Sequence, residues 1–384
     1  MKILHTAATY SPSLDGVAEV VRNISERLSK RGHEVHVATT AVESESAYAK
    51  FRGVHVHRFT AKGNMAFGMH GEIEKYRDFV RSSDWDLLVN HCLQVWPTDA
   101  LLNEIDSYTW PSVLVTHGLS VDNPAFSSYY AGIPQYLCAY SKWIRVSSLS
   151  EEFSFAEKFN IQVPPVITNG VDMNEWARPP LGLRLAWGIG QKPWVVDVSN
   201  HNPLKNHRTF FQLASSLRGV SARFTLIGGT YPMNKWALGR LGISGGCAYE
   251  CRLRSMLSMG TVDLKLNLPR PEVVSAIQEA DVVVSTSKWE ANSVVLLESM
   301  AAGTPWVSFD VGSARENVGG VVAGNLDEMA AVVTELLRDA HRRKSLGRVG
   351  RARAVAKHDW ESITDQYERL YESVVEHQVQ TCPR

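Results

Sequence analysis

Residues 280–305 read ADVVVSTSKWEANSVVLLESMAAGTP, and the order of residue types in this stretch decides the architecture. Asp281-Val-Val-Val-Ser285 is a short apolar β-branched run, the pattern of a strand buried on both faces in a parallel sheet. Val294, Val295, Leu297, Met300 and Ala301 follow at helical spacing, with Asn292 or Ser293 placed to cap the start. Gly303 stands where a left-handed helix cap belongs, and Pro305 stops any continuation. Glu290 lies in the turn at the carboxyl end of the strand. Seven residues separate it from Glu298, which puts Glu298 about one and a half turns into the helix. The amides of residues 292–295 would then offer a seat for an anion, flanked by two carboxylates suited to sugar hydroxyls.

The same alternation recurs outward in both directions. Lys2–Thr6 reads as a strand and 17–31 as a helix with Val17, Val20, Val21, Ile24 and Leu28 on one stripe. Glu34–Thr39 reads as the next strand, so the chain opens on a βαβ unit and a parallel sheet. Further strands are expected at 86–90, 111–117 and 144–148. The alternation restarts with a strand at 194–199, a helix at 209–217 and a strand at 224–229. Between the halves, 173–192 carries Pro179-Pro180 and reads as an irregular linker. Helices at 326–340 and 360–375 close the chain, the second with Tyr367 and Tyr371 as packing residues.

Composition narrows the function classes. The 384 residues hold 40 Lys+Arg against 40 Asp+Glu, with 44% hydrophobic residues. The balanced charge gives no sign of nucleic-acid binding. No apolar run reaches the ~18 residues of a spanning helix, and the opening segment reads as a strand rather than a signal peptide. A cytoplasmic protein is expected. Of the five cysteines, Cys247 and Cys251 are spaced like metal ligands but lack a second such pair, so reduced thiols and no metal are expected.

Glu-x7-Glu after a buried strand, followed by a Leu-rich helix ending in Gly-Thr-Pro, resembles the signature of the retaining glycosyltransferases of family 4. Other segments carry the resemblance across most of the chain: Ser11–Glu19 is similar to the family's opening loop, Asn169-Gly-Val-Asp172 to its domain-closing turn, and His358–Ile363 to its last helix. The resemblance implies a GT-B fold, an α/β architecture of two Rossmann-like domains facing each other across a crevice. The domains are expected at 1–175, joined by the last helix at 359–384, and at 176–358.

The resemblance further implies transfer of a hexosyl group from a nucleotide-diphosphate sugar to an acceptor hydroxyl, without a metal. Lys205, in the loop after the first strand of the second half, matches the family's diphosphate-binding lysine. Glu290 would hold the distal hydroxyls of the sugar, Glu298 the ribose diol, and His117 would lie near the sugar. Gly16, Asn200, Asn292, Ser293 and Val294 are expected on the donor. The chain departs from the family pattern in three places. Asp15 replaces a glycine, Asn200 an arginine, and Asn292-Ser293 the usual aromatic and glycine. A silent sugar-nucleotide-binding subunit, or an epimerase or phosphorylase on the same fold, stay open as alternatives. So do the base, the sugar and the acceptor, and with a lipid acceptor, peripheral contact with the inner face of a membrane.

Overall fold

A computed structural model of the chain describes residues 1–13, 15–43, 45–229, 247–258 and 260–381. The segment 231–261, which does not fit the family pattern closely and reads as an insertion, lies mostly outside the described residues; what is described of it includes a helix at Cys247–Leu257. The chain divides into two units, Met1–Asn169 with Trp360–Arg384, and Gly170–Asp359.

The first unit carries strands β1 (Lys2–Thr6), β2 (Glu34–Thr40), β3 (Tyr48–Phe51), β4 (Val54–Phe59), β5 (Ala61–Asn64), β6 (Gly68–Gly71), β7 (Leu87–His91), β8 (Ser112–Val115) and β9 (Lys142–Ile144). Seven of them form one sheet in the order β3-β4-β2-β1-β7-β8-β9, and β5-β6 form a separate hairpin. Every pair in the large sheet is parallel except β3–β4. The chain builds outward from β1 to one side and then crosses to β7 on the other. The topological switch point therefore lies between β1 and β7. The helix Trp360–Thr381 belongs to this unit. Arg27 pairs with Glu361 at 2.8 Å and Arg31 with Asp365 at 2.7 Å, while Tyr367 and Tyr371 are buried.

The second unit carries β10 (Trp194–Val198), β11 (Arg223–Gly228), β12 (Val262–Leu266), β13 (Val282–Ser285), β14 (Trp306–Phe309) and β15 (Gly320–Ala323). Their order is β12-β11-β10-β13-β14-β15, parallel throughout. All four residues of β13 are buried, as its valine run predicts for a central strand. Here the switch point lies between β10 and β13.

Three expectations about local structure are corrected. Residues 173–192 are not a linker: they form the short helices Met173–Trp176 and Leu183–Ala186 inside the second unit. Trp176, Leu183 and Ile189 are buried in its core, and burial of these side chains outweighs the Pro179-Pro180 signal. Between the helices expected at 326–340 and 360–375, where none was expected, stands a further helix, Ala340–Lys357. Its glycines permit close packing, since a Cβ on Gly347 would overlap the Gly303 carbonyl. The strand expected at 144–148 ends at Ile144, after which Arg145 bridges to Val166.

Candidate active site

In the second unit, neighbouring parallel strands β10 and β13 send their carboxyl-end loops to the same edge of the sheet. The β10 loop runs through a 3-10 turn, Pro203–Lys205, and a left-handed Asn206 into the helix His207–Ser216. The β13 loop runs through Glu290 into the helix Val294–Ala302. Two hydrogen bonds staple the loops together: the Lys288 amide donates to the Leu204 carbonyl at 2.8 Å, and the Thr286 hydroxyl to the Lys205 carbonyl at 3.2 Å. The side chains then meet. Lys205 Nζ lies 2.6 Å from Glu290 Oε1, and the Ser287 hydroxyl donates to the same oxygen at 2.6 Å.

Glu290 is also set from behind. Gly312 has φ +50°, and a Cβ there would overlap the Glu290 and Ala291 carbonyls; the Ser313 amide donates to the Ala291 carbonyl at 3.1 Å. Gly312→Ala should therefore push the Glu290 loop off its position. We expect turnover to fall about tenfold or more, on the scale a small misplacement of a reacting group costs, with the midpoint of thermal unfolding lowered as well. Unchanged kinetics would show that the Glu290 backbone position is immaterial.

Glu298 is buried in the helix Val294–Ala302, and Arg270 Nη1 pairs with it at 2.6 Å. Arg270 starts the helix Arg270–Glu279 and also reaches Glu175 at 2.7 Å, so the Glu298 carboxylate is aimed by a bridging guanidinium. Nothing in the sequence near Glu298 signals Arg270 or Glu175. Ser287 was missed too, although its place three residues before Glu290 was a usable signal. Ser293 takes the N-cap position of its helix but makes no side-chain cap bond. The expected hydroxyl cap is absent, and the first-turn amides are not met by it. Val294 is the first residue of that helix, and Asn292 is buried beside it. The Asn200 side chain accepts the Gly229 amide at 3.1 Å, tying the end of β10 to the end of β11 where a cation was the family norm.

Gly16 and His117 belong to the first unit. Gly16 opens the helix Gly16–Lys30, capped by Asp15, whose carboxylate accepts the Ala18 amide at 3.0 Å. A negative charge thus sits at the helix end that sequence reading offered to a phosphate. His117 follows β8 with a left-handed φ of +55°. Thr116 and Gly118 on either side are both held by the buried Glu152, through the Thr116 hydroxyl at 2.5 Å and the Gly118 amide at 3.0 Å. His117 is the end of a chain of rings. His5 Nδ1 lies 2.9 Å from His91 Nε2, and His91 Nδ1 lies 2.9 Å from His117 Nε2. Burial lowers all three: His5 to about 3, His117 to about 4, and His91 well below its ordinary value. A chain of neutral rings passes its hydrogens in one direction, so the three tautomers are set together. Cys92 and Gln94, after β7, are left-handed as well, and such backbone strain concentrates at functional loops.

A third cluster was not expected. His201, His207, Cys247 and Cys251 bring their ligand atoms within 4.8 Å of one another. Two histidines that follow β10 thus stand beside the two cysteines.

Two Rossmann-like units in one chain, with the last helix returned to the first and opposed loops at the second unit's switch point, define the GT-B class of fold. Known proteins agree. The family model of glycosyltransferase family 4 matches residues 14–175, and that of glycosyl transferases group 1 matches residues 186–353. The chain belongs to this group 1, family 4 set of glycosyltransferases. Sucrose-phosphate synthase from Thermosynechococcus elongatus superposes with a TM-score of 0.79 at 17% identity, covering 98% of this chain and 99% of that one. Anabaena Alr3699/HepE, solved in complex with UDP, gives 0.74 at 18% identity, covering 97% and 100%. The MMP alpha-(1->4)-mannosyltransferase of Mycolicibacterium hassiacum is 32% identical over 111 residues, 27% of either chain. The match thus spans about a quarter of that relative's length.

Proposed function

We propose that the chain is a retaining glycosyltransferase that moves a hexosyl group from a nucleotide-diphosphate sugar to an acceptor hydroxyl. The observation that carries this reading is the 2.6 Å pair of Lys205 and Glu290 across the second unit's switch point, where open α/β sheets bind their ligands. A donor would divide the pair. Its phosphates take the Lys205 ammonium, and the hydroxyls of its sugar take Glu290, which keeps the Ser287 hydrogen bond. Lys205 then neutralises charge as it develops on the leaving phosphate, so the transfer step itself needs no metal. Glu298, held by Arg270, receives the ribose diol. Glu290, paired with Lys205 and Ser287, serves the sugar hydroxyls in this reading rather than the anomeric carbon. The acceptor hydroxyl therefore attacks from the face the phosphate leaves, and the departing phosphate oxygen takes its proton. The mannosyltransferase relative and the UDP-bound neighbour support a hexose and a nucleotide as the donor's parts.

A panel of UDP, GDP and ADP in thermal unfolding tests the donor assignment. One nucleotide at a hundred times its Kd should add about 2.7 kcal/mol of stability, and Glu298→Ala should reduce the shift from that nucleotide. A shift from none of the three would overturn the reading. A shift unaffected by Glu298→Ala would move the ribose contact elsewhere.

A further inference from the structure

We propose that His201, His207, Cys247 and Cys251 form a tetrahedral structural site for a divalent zinc-like metal ion, beside the loop that presents Lys205. The sequence pattern is His-x5-His followed at a distance by Cys-x3-Cys. The cysteines lie one turn apart on the helix Cys247–Leu257, which puts both thiols on one face. His201 follows β10, and His207 is the first residue of the helix His207–Ser216.

The distances are those of a coordination shell. Zn–S bonds of about 2.3 Å and Zn–N bonds of about 2.0–2.1 Å give a tetrahedron with S–S edges near ~3.8 Å and N–S edges near ~3.6 Å. The two sulfurs lie 3.9 Å apart, and His207 Nδ1 lies 3.2 Å from Cys247 Sγ and 3.5 Å from Cys251 Sγ. The sulfur separation is far longer than a disulfide, in which the atoms are ~2.05 Å apart. His201 supplies an independent sign: both of its ring nitrogens are buried and make no hydrogen bond among the described residues, a costly state for an imidazole that a ligand would relieve. His207 is turned the right way. Its Nε2 lies 2.8 Å from the Ser199 hydroxyl, which donates to the buried Asp197 at 2.7 Å. The hydroxyl hydrogen is thus committed to Asp197, so His207 carries its proton on Nε2 and aims the Nδ1 lone pair at the two thiols. Metal-bound histidines are commonly oriented in this way.

Four protein ligands close the shell, which makes the site structural rather than catalytic. Binding converts both thiols to thiolates and releases two protons to solvent, leaving a neutral centre. Lys205 lies between the two histidine ligands in sequence, so the metal would clamp the base of its loop to the helix Cys247–Leu257.

The first test is the metal content of the full chain purified without chelator, expected at about one zinc per chain and lost in the Cys247→Ser, Cys251→Ser double variant. Should that variant fail to fold, the wild type alone decides. Cobalt(II) added to the reduced, metal-stripped chain should give thiolate-to-cobalt charge transfer with the strong d–d bands of a tetrahedral centre. Ser199→Ala should keep that spectrum while weakening metal binding by about 10- to 100-fold. No stoichiometric metal in the wild type together with no thiolate–cobalt band, or cobalt bound with weak octahedral bands only, would overturn the site.

Discussion

Lys205→Ala is expected to lower kcat/KM by about 10²–10³, the loss seen when a single group stabilising charge in a transition state is removed. The donor would be the sugar of whichever nucleotide stabilises the chain, and product release would be followed as the free nucleoside diphosphate. Glu290→Gln should fall by a similar factor, because an amide presents one hydrogen-bond acceptor where a carboxylate presents two and carries no charge. The two losses should not add. In the free chain the residues are each other's partner at 2.6 Å, so each single variant strands one charge and the double variant strands none. Groups in direct contact couple in this way. A double variant as impaired as the product of the two single losses would mean that they act independently. A loss below tenfold in Lys205→Ala would remove the lysine from the transition state.

Acidification from pH 7 to pH 5 should destabilise the first unit by several kcal/mol. His5 and His117 have folded values of about 3 and about 4 against an ordinary 6.5, and His91 lies well below the same value. The unfolded chain therefore binds protons at these rings between about pH 6.5 and pH 4, whereas the folded one does not. Stability is full above that window and is lost as pH falls through it. By linkage His5 and His117 each cost about 2 kcal/mol over this interval, and His91 acts in the same direction. Asp99 works in the opposite direction. Burial pushes its carboxyl up to about 6, so the folded state gains a proton first and recovers about 1 kcal/mol. Three rings outweigh one carboxyl, and the net sign is destabilising. Urea unfolding at the two pH values measures it, and His5→Gln should show a pH dependence smaller by about 2 kcal/mol. Equal midpoints for the wild type at pH 5 and pH 7 would mean that the rings are charged or hydrated in the folded chain.

The parts of this molecule that were legible in the sequence are those that local chemistry specifies. The valine run of β13, the helix after it and the Glu290–Glu298 spacing identified a parallel α/β unit, and Lys205 and Glu290 meet in the loops at the carboxyl ends of its strands. What escaped was set by contacts distant in sequence. Arg270 meets Glu298 only because the helix Arg270–Glu279 packs beside the next helix, and no periodicity encodes that meeting. The cluster of His201, His207, Cys247 and Cys251 was not legible because the second pair was sought among cysteines, while the two histidines stand some forty residues earlier. The helix Ala340–Lys357 was hidden by its composition. It has no apolar stripe, and its buried residues are Gly347, Gly350 and Ala354, small side chains chosen for close approach rather than hydrophobic area.

The return of the helix Trp360–Thr381 to the first unit has a consequence for the order of synthesis. The ribosome delivers the described strands of the first unit before those of the second, yet Arg31 and His33 find Glu368 only after the second unit has been made. His5 likewise packs near Tyr371, with ring centroids 6.1 Å apart. Until then the nascent first unit holds an uncovered apolar face and an Arg31 without its partners on the last helix, and domains generally fold as units in the order they emerge. The second unit can therefore complete its fold ahead of the first, which is closed by residues that follow the second unit in the chain.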